Sequence, residues 1–120
     1  MKAASWKRRI KKACEEAGTY KPFFDYTIAT LATIMEMRDD ALERFKDGGG
    51  ETVVEHTNKN GSTNIVKNPA LTVVMDCHAQ ALAYWRELGL TSKSYKQMTG
   101  SLEAQDKGSG LDDILSDLGL

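Results

Sequence analysis

Residues 68–94, NPALTVVMDCHAQALAYWRELGLTSKS, decide how this chain folds. They read as one amphipathic helix with both ends marked. The Asn68 side chain can accept from a free N–H of the first turn, as a good N-cap does. Pro69 follows at the first helical position, where its missing N–H costs nothing. Leu71, Val74, His78, Ala81, Trp85 and Leu88 recur at spacings of three and four, which sets them on one stripe. Gly89 stands where helices commonly stop, because glycine enters the left-handed cap without penalty. After Leu90, Thr91 or Ser92 can cap a second short helix through Tyr95 and Met98.

A helix with one apolar stripe needs a partner, and the chain offers one upstream. Residues 20–47 form the longest helical pattern, with Pro22 at its start and Asp25 near the positive end of the helix dipole. Phe24, Ile28, Leu31, Met35, Arg38, Leu42 and Phe45 step by four and three, a seam close to the coiled-coil repeat. Phe23, Ile34, Met37 and Ala41 add a second apolar flank. A single helix partner does not need two flanks, so a neighbouring subunit is the expected second partner. Gly48-Gly49-Gly50 ends the helix as a turn and lacks the Gly-Lys-Ser/Thr ending of a phosphate-binding loop. Between the two helices, Glu51–Thr57 and Ser62–Val66 flank Asn58-Lys59-Asn60-Gly61, a strong hairpin signal. An isolated hairpin is marginal in water, so it is expected to lean on the helices or on a neighbour's hairpin.

The two ends of the chain carry opposite charge. Residues 1–22 hold seven Lys/Arg against two Glu, a net +5, while residues 103–120 hold one Lys against five Asp/Glu, a net −4. Residues 3–17 predict a helix that Ser5 can cap, with Trp6, Ile10, Ala13 and Ala17 on a narrow apolar stripe. Lys7, Arg8, Arg9, Lys11 and Lys12 occupy the rest, and Lys21 follows Gly18. Such a helix suits phosphate contacts, because cationic side chains release counterions from a nucleic acid. It is too short to be a complete three-helix DNA-reading domain. At the other end, residues 100–110 are polar and Gly/Ser-containing, a flexible linker by composition. Leu111, Ile114, Leu115 and Leu118 then share one helical face, and Asp112, Asp113 and Asp117 line the other. That is the form of a short peptide that folds on docking into a partner's groove.

The whole chain is 120 residues with 41% apolar content, enough for one modest core that gains from association. No apolar run approaches membrane-spanning length, and the N-terminal stretch lacks the apolar region of a signal peptide. Cys14 and Cys77 match no metal or redox spacing and read as small apolar residues in a reduced cytoplasm. His78 is an interior or interface histidine, with no ligand spacing to His56. No nucleophile stands beside a plausible base, so neither catalytic residues nor cofactor nor metal is expected.

Asn-Pro-Ala-Leu opening a helix that ends in Arg-Glu-Leu-Gly-Leu-Thr and runs into a short Ser/Lys-rich helix resembles the small terminase subunits of tailed phages. Asn68, Pro69, Ala70, Leu71, Leu88, Gly89, Leu90, Thr91 and Ser94 fit that pattern. Ser92 replaces its proline, and Tyr95 stands about where its arginine would be. The resemblance spans roughly residues 20–99. It implies a ring-forming homo-oligomer in the bacterial host cytoplasm that recognises double-stranded viral DNA. The ring delivers that DNA to the large terminase subunit, which carries the ATPase and the nuclease.

The expected architecture is therefore mainly α. A basic N-terminal helix (1–19) precedes a long antiparallel helical hairpin (20–99) with a small β-hairpin at about 51–67 between its helices. The hairpin ends in a short C-terminal helix, and a flexible tail follows (100–120). Lys7, Arg8, Arg9, Lys11, Lys12 and Lys21 are the expected DNA contacts. Phe23, Ile34, Met37 and Trp85 are the expected oligomer interface. Leu111, Ile114, Leu115 and Leu118 are the expected large-subunit contacts. A protein–protein adaptor without DNA binding, or a small DNA-binding regulator, also fits the charge pattern.

Overall fold

The computed structural model describes residues 1–100. The linker and the tail helix expected over 101–120 lie outside the described residues. Four helices and one two-stranded sheet follow one another in chain order. They are α1 (Ala3–Ala17), α2 (Asp25–Asp47), β1 (Val53–Thr57), β2 (Thr63–Lys67), α3 (Pro69–Glu87) and α4 (Ser92–Thr99), with a single 3-10 turn at Pro22–Phe24 before α2. The mainly helical fold with a small antiparallel sheet between its long helices is the one its sequence predicts.

The helix signals at residues 68–94 act as local chemistry requires. Asn68 Oδ1 accepts from Ala70 N at 3.0 Å, which caps α3. Gly89 takes φ +72° and ends the helix in the left-handed region. Thr91 and Ser94 form a reciprocal capping box at the start of α4. The β strands pair antiparallel with Val54 opposite Val66, and the turn is closed by Asn58 N donating to Ser62 O at 2.9 Å. Asn58 Oδ1 accepts from Asn60 N and Ser62 N as well.

The core lies along α2, which is packed between two helices. Ile10 and Cys14 of α1 join Ile28, Leu31, Ala32, Ile34 and Met35 of α2, with Cys77, Ala81 and Leu88 from α3 and its end. This accounts for Ile34 and Ala41 of the second apolar flank of α2, which are buried, while Phe23 and Met37 of that flank stay exposed. One side of the helix serves α1 and another serves α3. Ile34, expected at an oligomer interface, is only 8% exposed and packs in the chain's own core. Trp85 likewise packs half-buried against that core.

Three other expectations change. Ser5 lies inside α1, whose N-cap is Lys2 with no side-chain hydrogen bond. In α3 the buried position is Cys77, while His78 is exposed. The small Cys77 and Ala81 let α2 approach closely, and the larger His78 side chain is turned aside. The β-hairpin does not lean on the helices of its own chain. Its strands pack chiefly on each other, leaving Val53 and Ile65 exposed, the latter at 74%. It is tied to the body at its base, where Asn68 Nδ2 donates to Glu51 O and Asn68 N to Thr52 O, both at 2.9 Å.

Candidate nucleic-acid interface

The orientation of α1 follows from its stripe. Ile10 and Cys14 are buried against α2, and Lys7, Arg8, Arg9, Lys11 and Lys12 are all left exposed, with Lys7 and Lys11 flanking the buried stripe and Arg8 and Lys12 opposite it. Cys14 packs in the core at 0% exposure, and that burial raises its thiol pKa, partly offset by the Thr19 hydroxyl.

A helix whose first turn holds no acidic residue, and whose cap residue is a lysine, has an unfavourable start. α2 corrects it. The Ala3 N–H donates to the Glu36 carboxylate. Asp39 accepts from the Trp6 indole N–H at 2.7 Å, from the Met1 amino group at 3.1 Å and from Arg38 Nε at 2.9 Å. Burial alone would raise the Asp39 pKa. These donors and the Arg38 charge outweigh it and hold the carboxyl below its ordinary value. Arg38 also lies 5.9 Å from the Trp6 ring and donates to His78 Nε2 at 3.4 Å. Its partners are thus Asp39, Trp6 and His78. Asp39 and Glu36 are the residues that sequence reasoning missed. They fix both the axial position and the rotation of the basic helix.

The cations divide by what they touch. Arg9 stacks over the Trp6 ring at 5.1 Å and Lys11 over the Tyr20 ring at 5.1 Å. Lys12 faces Glu16 at 3.9 Å in an exposed pair, an arrangement that contributes little to stability. Arg8 donates to Ser5 Oγ at 3.2 Å. Lys7, Arg8 and Lys11 together line a groove with Asp25 and Ile28. Tyr20 donates its hydroxyl to Asp25 at 2.6 Å, and that bond to a carboxylate raises the phenol's pKa. Lys21 is exposed in the loop after α1, apart from that groove.

Of the residues expected at the oligomer interface, Phe23 and Met37 are exposed, at 70% and 53%. Tyr26, in the first turn of α2, is exposed at 86%. Met37, Ala41 and Arg44 meet Pro69, Ala70 and Val73 of α3 around an open groove of about 370 Å³.

A family model for the phage terminase small subunit matches residues 3–105. The chain belongs to that family. The match takes in all four helices and the β-hairpin, and it places the chain's role in phage DNA packaging. Comparison with curated proteins and with solved structures gives no match. No helix among the described residues is long and apolar enough to cross a membrane.

Proposed function

We infer that this small terminase subunit is a ring-forming, non-catalytic adaptor of a tailed phage or related mobile element. It binds viral DNA and delivers it to the large terminase subunit. The observation that carries the DNA part is the exposed arc of Lys7, Arg8, Arg9, Lys11 and Lys12 on a helix whose rotation α2 fixes. With the helix already anchored, binding phosphates orders only the cationic side chains and not the backbone that carries them. Phe23 before α2 and Tyr26 and Met37 on it are large apolar side chains that their own chain does not cover, and they are the surface for the neighbouring subunit. Leu111, Ile114, Leu115 and Leu118 are the segment offered to the large subunit.

The test is salt dependence. Removing one cation that meets a phosphate should reduce the magnitude of the slope of log K against log salt by about 0.9. Lys7, Arg8, Lys11 and Lys12 replaced together by alanine should therefore reduce that slope by roughly 3 to 4. Native mass spectrometry should still give the parent's multi-copy assembly. An unchanged slope removes α1 from the DNA interface, and a monomer for the parent chain removes the ring.

A further inference from the structure

The groove between α1 and the start of α2 asks for more than a phosphate backbone. Its volume is about 280 Å³, and Lys7, Arg8 and Lys11 form its rim. Ile28 closes the floor but is only 2% exposed, so the carbon that a ligand meets is chiefly the aliphatic stems of Lys7, Arg8 and Lys11. Asp25, the carboxylate in the lining, already accepts the Tyr20 hydroxyl. A ligand that fits is anionic and also brings apolar side chains. Duplex DNA meets only the first condition. The segment Leu111–Leu118 of the same chain meets both, with Leu111, Ile114, Leu115 and Leu118 beside Asp112, Asp113 and Asp117. It lies beyond the family match, which stops at residue 105.

The point where the described chain ends lets that segment reach the groove. Met98 Sδ and Thr19 Cγ2 stand 2.5 and 3.0 Å from where a β-carbon on Gly89 would lie. The end of α4 therefore lies beside the C-terminal end of α1, and Gly100 is two residues further on. Counting back from Thr19, Lys11 and Lys7 lie about 12 and 18 Å along α1 at the helical rise of 1.5 Å per residue. A flexible linker of ten residues, the length of 101–110, would span about 16–19 Å root-mean-square. Intramolecular docking is most favoured when linker length and span match in this way.

We propose that Leu111–Leu118 docks in the groove of Lys7, Arg8, Lys11 and Ile28, and so competes with nucleic acid for the basic face of α1. The competition rests on the DNA-binding reading above; the docking does not. A large subunit that captures the tail then uncovers the basic face as it binds, so partner engagement and DNA grip are coupled through one segment.

The experiment compares the full chain with two full-length variants, D112N/D113N/D117N and I114S/L115S. Methyl spectra without DNA read the docking. The Ile28 signal should shift between the parent and each variant, while Ile65 in the β-hairpin stays fixed. An Ile28 signal identical in all three chains, or a shift at Met98 instead, overturns the docking. Affinity for a duplex at low salt reads the competition. An effective concentration on the order of 1 mM, against a docking constant of about 0.2 mM, tightens DNA binding about sixfold in the triple variant. Equal affinity in parent and variants overturns the competition. Failure of all three chains to bind DNA overturns the DNA reading instead, and the Ile28 signal still decides the docking.

Discussion

Asp39→Ala should release the start of α1 from α2. The carboxylate is the one group that accepts from Trp6, Arg38 and the amino end together, and its side chain is 19% exposed. The Arg38 contact is between chain neighbours and the Met1 contact is partly wet, so each contributes little. The Trp6 bond links residues 33 apart at 2.7 Å. Hydrogen bonds to a charged group contribute about 1.5–3 kcal/mol, and an indole N–H left half-buried without an acceptor adds to the loss. We expect about 2–3 kcal/mol of destabilisation in urea titrations followed by tryptophan fluorescence. Amides of residues 3–12 should also lose exchange protection before those of α3. A double-mutant cycle with Trp6→Phe isolates the bond and should return a coupling of about 1–2 kcal/mol.

The pH dependence has a defined sign. Because the folded carboxyl titrates below its unfolded value, its contribution is fully present above about pH 4 and is lost as pH falls through the folded pKa. Asp39→Ala should therefore cost least at low pH. A loss below about 0.5 kcal/mol at pH 7, with α1 protection unchanged, would refute the anchoring role.

Two further substitutions probe the ends of α3. Gly89→Ala should destabilise by about 2–3 kcal/mol in thermal or chemical melts, since φ +72° alone costs an alanine about 1–2 kcal/mol. The new methyl would also press on buried Thr19, whereas the exposed Met98 thioether can swing aside; a cost under 0.5 kcal/mol would show that this turn relaxes freely. Asn68→Ala should cost about 1–2 kcal/mol from removal of the cap and should speed hydrogen exchange in the β-hairpin. Asn68→Asp keeps the capping oxygen but loses the donor to Glu51 O, so it should restore α3 while leaving the hairpin loosened.

Much of this fold is legible because its punctuation is local. Asn68, Pro69, Gly89 and Thr91 each act on backbone within a few residues, and Asn60-Gly61 sets a turn without help from the rest of the chain. What cannot be read is what depends on distant residues. The two apolar flanks of α2 announce two partners, but periodicity cannot say that one of them is α1. Sequence reasoning assigns that place to a neighbouring subunit, and Ile34 goes with it. His78 falls on the α3 stripe by its even spacing. Close packing prefers Cys77, one residue away, because the small side chain admits α2.

The basic helix shows the same division most clearly. Its cations and their exposure follow from composition and the position of Ile10 and Cys14. What turns a charged helix into an oriented surface is a pair of carboxylates on α2, Glu36 and Asp39, more than thirty residues away. Nothing near Lys2 or Trp6 signals them, since an acceptor for an indole N–H can come from any acidic residue the fold brings near. Their position also has an electrostatic consequence. Of the carboxylates that satisfy the positive end of the α1 dipole, Asp39 pairs with Arg38 and the Met1 amino group, so charge at the Trp6 end of the helix is partly neutralised. The free positive potential is shifted toward Lys7, Arg8 and Lys11, beside the groove over Ile28.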